Sequence, residues 1–271
     1  MIELNWRAPR ILGIVNITPD SFSDGGQCLS LDAALRHIEQ LIQAGADMID
    51  IGAESTRPGA EPVSEADEAA RLMPLLKAYR HHFDTPFSID TTKSVIADLG
   101  LRHGAAYVND ISAFRVDSAM PDVIAQHGAG AIIMHSIGTP KTMQNNPQYI
   151  DIMATITGVL TTAIHQGATA GISDIILDPG LGFGKTPAQN AHIIRHLSDL
   201  RALERPILVG PSRKSMIRHW VGDTGLLTGT LGAVVAAYSQ GATWFRVHDV
   251  HEVKQALTVA HQCLGEPTVH A

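Results

Sequence analysis

Wherever a short apolar run ends in this sequence, a residue fit for chemistry follows. The runs 11–16, 48–52, 87–90, 106–110, 131–135, 174–178, 206–210 and 243–248 lead in turn to Asn16, the stretch GAESTRPG (52–59), Asp90, Asn109, His135, Asp178, GPSRKS (210–215), and Arg246 with His248. A single Asp or Asn at such a point is ordinarily a helix cap or turn former. Capping does not select Arg, Lys and His at the same ends, so the eight together describe a site. Asp90 and Asp178 are carboxylates with Asn109 between them, and Arg57, Lys214, Arg246 and His248 read as cations. Carboxylates accept paired N–H groups, Asn both donates and accepts, and Lys and Arg hold phosphate or carboxylate oxygens. The expected ligand has a flat, donor-rich end and an anionic end.

Three loops sharpen this. NITPDSFSDGG (16–26) crowds short oxygen-bearing side chains and small residues together after the first run. DPGLGFGKT (178–186) offers glycines that let backbone approach a flat ring, and Phe183 to stack on it; the G-x-x-x-x-G-K spacing of a phosphate-binding P-loop is absent. GPSRKS sets Ser212, Arg213, Lys214 and Ser215 at a helix start, where unpaired N–H groups favour anions. Lys214 is read as a ligand contact, against the alternative of a structural ion pair. Arg213 has solvent as its alternative.

The elements that must position these residues are legible as a repeated beat. Each apolar run is nearly continuous, as for a parallel strand covered on both faces. Helical periodicity fills the gaps at 31–46, 64–82, 93–103, 119–127, 150–166, 188–203, 226–240 and 250–264. In the first, Asp32 is placed to cap the start and Gly45 to end it, and several helices stop at Gly-Ala (QAGAD, RHGAA, QHGAG, SQGAT). Eight strands alternating with eight helices in about 250 residues predict a single (β/α)8 TIM barrel over 1–271, with its site at the strand exits. A doubly wound sheet has no reason to stop at eight units.

Composition narrows the class. The chain has 271 residues, 45% of them hydrophobic and 17% charged, with a formal net charge of −7. That fits a soluble globular protein with a large core and argues against a broad nucleic-acid surface. Two cysteines without metal-ligand spacing, Cys28 and Cys263, read as free thiols of a reducing cytosol. The apolar run near the start is too short for a signal peptide, and none reaches the roughly 18 residues of a membrane span, so a cytoplasmic, membrane-free setting is expected.

The motifs GIVNITPDSFSDGG (13–26), DIGAESTRPGA (50–60), SIDTTK (88–93), VNDIS (108–112), DPGLGFGK (178–185), GPSRKS (210–215) and FRVHDV (245–250) occur in order. Together they resemble the dihydropteroate synthases of folate biosynthesis, from Leu12 to Val250. The resemblance implies a Mg²⁺-dependent transferase that joins p-aminobenzoate to 7,8-dihydropterin-6-ylmethyl diphosphate, releasing pyrophosphate. By family pattern Asp90, Asn109, Asp178 and Lys214 hold the pterin, with Met134, Phe183 and Gly210 lining its pocket. Asn16, Arg246 and His248 bind the diphosphate, Asn16 also contacting the metal. Thr56, Arg57, Pro58 and Ser215, with Phe183, form the p-aminobenzoate pocket. Asp90, Lys214, Arg57 and Asp20 are the expected catalytic set; Asp20 and Asp24 are the loop candidates for metal or for positioning that pocket. A homodimer through C-terminal helices is also implied.

Some positions depart from the pattern. Ser136 and Ile137 stand after Met134-His135 where a Met-Gln-type pair is expected, and Met216 and Arg218 differ from the commoner Phe and Gly. Effects on packing and on the pocket floor are expected, none on the assigned residues. Other readings fit less well. A corrinoid-linked methyltransferase of methyltetrahydrofolate has no use for ESTRPGA or an Arg-His diphosphate clamp. A glycosidase using Asp90 and Asp178 does not need a cationic mouth, and a Schiff-base aldolase does not place its Lys after a loop serine. A catalytically dead homologue kept as a scaffold subunit would not need Asn16, Arg57, Asp90, Asp178, Lys214, Arg246 and His248 intact.

Overall fold

The computed structural model describes residues 8–17, 31–55, 59–138, 141–143 and 147–265. Eight strands run parallel: β1 (Arg10–Asn16), β2 (Met48–Gly52), β3 (Phe87–Asp90), β4 (Tyr107–Asp110), β5 (Gly130–Met134), β6 (Ile175–Asp178), β7 (Leu208–Val209) and β8 (Trp244–Val247). Their order around the sheet is β6-β5-β4-β3-β2-β1-β8-β7. A parallel bridge between Leu177 and Ile207, with Leu177 N–H donating to the Pro206 carbonyl at 2.9 Å, brings β6 back to β7. The result is the expected (β/α)8 barrel.

The helices are α1 (Leu31–Gln43), α2 (Glu65–His82), α3 (Ser94–Arg102), α4 (Met120–Gln126), α5 (Ile152–Ala170), α6 (Pro187–Arg195), α7 (Ser215–Val221), α8 (Leu226–Ser239) and α9 (Val250–Leu264). Two differ from the sequence reading. The helix expected over 188–203 breaks after α6 into a 3₁₀ segment, Leu197–Leu203, and the seven-residue α7 is too short to show periodicity. Asp32 lies inside the first turn of α1, where it complements the helix dipole, rather than at the cap. The four Gly-Ala stops behave as read: Gly45, Gly104, Gly128 and Gly241 all take positive φ.

Strand alternation decides what faces where. Odd positions of β1 and β2 (Ile11, Val15, Ile49, Ile51) face outward, together with Ile89, Ile133, Leu177 and Phe245, and join the helices in one large buried cluster. The alternate residues point into the barrel. Leu12, Met48, Tyr107, Ile132, Ile176, Leu208 and Trp244 form a separate buried cluster, the plug at the barrel's lower end. Two residues further along four of these strands, toward the C-terminal ends, the inward positions turn polar: Asp50, Asn109, Asp178 and Arg246. The same alternation that fills the bottom with apolar side chains lifts the polar ones to the mouth.

Candidate active site

At the centre of the mouth a guanidinium lies between two carboxylates. Arg246 donates from Nε to Asp50 Oδ2 at 2.6 Å and from Nη2 to Asp90 Oδ2 at 2.7 Å. Asp50 also accepts from Ser88 Oγ at 2.6 Å and from Asn109 Nδ2 at 3.1 Å. Asp90 is 8% exposed and Asp50 not at all. Burial first, then the charge of Asp50, raises the Asp90 carboxyl to about 7, against the pull of Arg246 and Lys214. The pairing with Arg246 keeps that guanidinium firmly protonated.

Across the mouth, Asp178 ends β6 and accepts the Gly180 N–H at 2.7 Å. Its burial raises it to about 6, opposed by that N–H and by the Lys214 and Lys185 charges. Lys214 stands at the start of α7 with its ammonium 4.0 Å from the centre of the Phe183 ring, a cation–π contact. Burial, then the nearby Arg246, lowers the lysine to about 8. Phe183 packs with Met134 and Met143, so one wall of the pocket is apolar while Asp90, Asn109 and Asp178 supply oxygen.

The loop that carries Phe183 is held from beneath by a residue the sequence did not single out. Lys185 is 3% exposed, and its ammonium reaches the carbonyls of Gly180 (2.9 Å), Phe183 (3.0 Å) and His135 (3.3 Å) and the His135 Nδ1 (3.0 Å). Burial lowers Lys185 to about 7 and His135 to about 3, so the imidazole accepts at Nδ1 and carries its proton at Nε2. Asn190, buried in α6, adds a second tie by accepting the Gly182 N–H at 2.8 Å. A capping box of Thr186 and Gln189 starts α6 where the loop ends. Gly180 combines φ of +73° with a backbone so close that a Cβ would lie 1.9 Å from the His135 carbonyl oxygen, so no other residue fits there.

Asn16 ends β1 opposite Gly52, half-buried, and the next residue's N–H donates to the Gly52 carbonyl at 2.7 Å. His248 follows β8; the Ser212 hydroxyl lies 3.0 Å from its Nδ1 and accepts its backbone N–H at 3.2 Å. Burial, with Arg246 and Arg213 nearby, lowers His248 to about 4. It is therefore a neutral imidazole rather than the cation the sequence suggested. Arg213 pairs with Asp249 at the surface. Among the described residues the mouth is thus balanced in charge, with Asp50, Asp90 and Asp178 against Arg246, Lys214 and Lys185, rather than cationic.

Of the expected site residues, Asn16, Asp90, Asn109, Met134, Asp178, Phe183, Gly210, Lys214, Arg246 and His248 all sit at the C-terminal ends of the strands or in the loops that follow them. Ser215 opens α7 and is exposed. Thr56, Arg57, Pro58, Asp20 and Asp24 lie outside the described residues. The base of the ESTRPGA loop is within them: Arg71 donates to the Ala53 carbonyl at 2.9 Å, and Lys93 bridges Glu54 to the buried Glu68. The departures keep clear of the assigned contacts. Ser136 Oγ donates to the Ile111 carbonyl and its own carbonyl accepts from Arg115, Met216 is buried, and Arg218 pairs with Asp223. Sequence reading missed Asp50, Lys185, Asn190 and Met143, and it named Ser212 for the helix start but not for its contact with His248. The first two stand inside the motifs DIGAESTRPGA and DPGLGFGK, but neither motif shows the partners that give them their roles.

Residues 12–248 match the profile of the family described as pterin binding enzyme. A dihydropteroate synthase of Synechocystis is 42% identical over 255 residues, 92% of this chain and 88% of its own. The crystal structure of the Yersinia pestis dihydropteroate synthase with a sulfonamide drug complex superposes with a TM-score of 0.89 at 40% identity, covering 96% of each chain. The Xanthomonas albilineans enzyme with 4-aminobenzoic acid gives 0.89 at 36% identity, over 96% of this chain and 94% of that one. With a mouth of this geometry and likeness over nearly its full length, the chain belongs to the pterin-binding enzymes and, among them, to the dihydropteroate synthases of folate biosynthesis.

Proposed function

We propose that Asp90, Asn109, Asp178 and Lys214 bind the pterin ring of 7,8-dihydropterin-6-ylmethyl diphosphate, with Met134, Phe183 and Gly210 lining its pocket. The observation that carries this reading is the convergence of three buried oxygen-bearing side chains, from β3, β4 and β6, beside an apolar wall. The 2-amino-pyrimidinone edge of a pterin presents the N–H donors such a set accepts. Arg246, His248 and Asn16 face the diphosphate. A phosphate oxygen takes the N–H of a neutral His248 as an acceptor, and its negative charge favours protonating that imidazole.

The amine nitrogen of p-aminobenzoate forms the new C–N bond at the methylene carbon, the C–O bond to diphosphate breaks, and the amine sheds its proton. No side-chain nucleophile is required. As the leaving group departs, positive charge spreads into the pterin ring, where the fixed carboxylates of Asp90 and Asp178 stabilise it without reorganising. The p-aminobenzoate is held by Thr56, Arg57, Pro58, Ser215 and Phe183, with Arg57 and Asp20 completing the catalytic set.

The donors fit a magnesium ion shared with substrate. Among the described residues no group of three or more His, Cys, Asp or Glu could hold a metal alone. Magnesium takes one or two protein oxygens and completes its shell with water and phosphate oxygens. Asn16 would provide one such oxygen, with Asp20 or Asp24 as loop candidates. When bound, the ion supplies counter-charge to the departing pyrophosphate.

We read the chain as one domain over 1–271, working in the cytoplasm; no helix among the described residues is long and apolar enough to cross a membrane. An apolar groove between α8 and α9, lined by Leu231, Val235, Ala256, Val259, Ala260 and Leu264, supports a homodimer through this face; Val259 is 62% exposed. Pyrophosphate release on mixing protein, both substrates and Mg²⁺ tests the reaction, and its absence in a folded preparation would sink the assignment. Sedimentation of the chain tests the dimer.

A further inference from the structure

We propose that Asp50 is a positioning residue for the pterin pocket: it fixes which end of the Asn109 amide faces the ligand and holds Arg246 in register with Asp90. The inference rests on the pterin reading above and goes beyond it, because Asp50 does not itself reach the ligand. It is wholly buried in the middle of β2, one inward position below Gly52, and its carboxylate is spent on protein groups. Oδ1 accepts from Ser88, and Oδ2 accepts from both Asn109 Nδ2 and Arg246 Nε.

The consequence for Asn109 follows from amide chemistry. An amide has one accepting and one donating end, and turning it over exchanges them. With Nδ2 donating to a carboxylate, the flipped state would set oxygen against oxygen in a site where Asn109 is only 4% exposed. The carbonyl oxygen is therefore the end left for the ring edge, and the pocket keeps an acceptor at β4 to stand beside Asp90 and Asp178. Ser88 makes this arrangement stiff, since its hydroxyl anchors the other carboxylate oxygen. Arg246 carries the effect to Asp90, because the same guanidinium spans both carboxylates at 2.6 and 2.7 Å. The plainer alternative is that Asp50 serves only as the buried counter-charge of Arg246. In that case its loss should weaken diphosphate binding and stability while leaving recognition of the ring untouched.

The two accounts separate with Asp50→Asn and two probes, a pterin without diphosphate and the diphosphate substrate. The expected result is roughly a tenfold or greater loss of affinity for the diphosphate-free pterin. KM for the pterin diphosphate should rise while KM for p-aminobenzoate holds within about threefold. The pH profile supplies a readout that packing alone would not move. The charged groups acting on Asp90 are Asp50 from β2, Glu68 from α2, Arg246 from β8 and Lys214 before α7. Removing the Asp50 charge lowers Asp90, so the acid limb of pterin binding shifts to lower pH. Wild-type affinity for the diphosphate-free probe, or a loss confined to the diphosphate ester, would overturn the inference. If Asp50→Asn does not fold, Ser88→Ala decides, because it loosens the carboxylate without removing its charge. A severalfold loss for the diphosphate-free pterin supports the role, and wild-type behaviour refutes it. Failure of the wild-type protein to bind that pterin overturns the pterin reading, and this inference falls with it.

Discussion

Replacing Asp178 by Asn should make the protein more stable and unable to bind pterin. The carboxyl is 5% exposed, and burial lifts it from 3.8 to about 6. An acid whose folded pKa exceeds its unfolded one holds more protons folded than unfolded in that interval. Stability therefore falls as pH rises from about 4 to about 6 and stays lowered above it. The difference of about two units corresponds to roughly 3 kcal/mol at neutral pH. Asn carries no such cost, and its carbonyl can still accept the Gly180 N–H that Asp178 now accepts at 2.7 Å. The swap also strips Lys214 and Lys185 of an attractive partner, which offsets part of the gain. A net gain of about 1–3 kcal/mol remains, a rise of a few degrees in Tm for a domain this large.

Binding moves the other way. The amide would turn NH₂ toward ligand N–H groups or give up the Gly180 contact, and mispairing a buried charged contact costs about 2–5 kcal/mol. That is roughly 30-fold to several thousandfold in Kd. Calorimetry with a diphosphate-free pterin, alongside melts at about pH 7.5 and 4.5, reads both effects. The stability gain should shrink at the lower pH, where the wild-type carboxyl is already largely protonated. A folded variant with wild-type affinity would remove Asp178 from the pterin pocket. One that melts lower at neutral pH would refute the reasoning from buried charge.

In chelator, a diphosphate-free pterin should bind almost as well as in Mg²⁺ while the diphosphate ester weakens sharply; equal sensitivity of the two would move the metal away from the diphosphate. Arg57→Ala should lower turnover roughly 100-fold by spoiling the positioning of p-aminobenzoate, with pterin-analogue affinity within a few fold. Near-normal kinetics would instead make Arg57 a surface partner, although one carboxylate suited to that, Glu61, already pairs with Lys141. Lys185 is a base lowered from 10.5 to about 7, so the unfolded chain binds more protons between those values and stability should climb as pH rises through them. Lys185→Met should flatten that climb in melts at about pH 7 and 9.5, and an unchanged slope would show that the ammonium is not bearing a burial cost.

The parts of this site legible in sequence are those where one residue's position carries its meaning. Asp90, Asn109 and Asp178 each lie at the end of a short apolar run, and inward alternation then brings them to the same mouth. Asp50 could be seen in MIDIG but not understood, because its role depends on Arg246, 196 residues away, and on Ser88 and Asn109 from two other strands. Lys185 was hidden by its type, since lysines are rarely buried, and only the carbonyls around its ammonium explain this one. His248 shows the complementary failure. Its identity suggested charge, whereas its protonation is set by burial beside Arg246. The break after α6 follows the same logic, since periodicity continued across Arg195 while the backbone tightened into a 3₁₀ turn.

These buried charges explain why the apolar shell around them is so extensive. Asp90 and Asp178 are both raised, and Lys185 and Lys214 both lowered, so each is held in a place where its charged form is disfavoured. None of the four would choose its position on stability grounds. They remain there because the outward faces of the strands, from Ile11 and Val15 to Phe245 and Val247, pack against the helices and leave the backbone little freedom to relax. That arrangement suits a reaction in which charge appears abruptly on a ring and a leaving group. A pocket whose dipoles are already fixed need not reorganise when the C–O bond breaks, whereas water would. Relaxing the site and preserving its chemistry are therefore opposed requirements. Substitutions that neutralise one of these groups should tend to strengthen the fold as they weaken the enzyme.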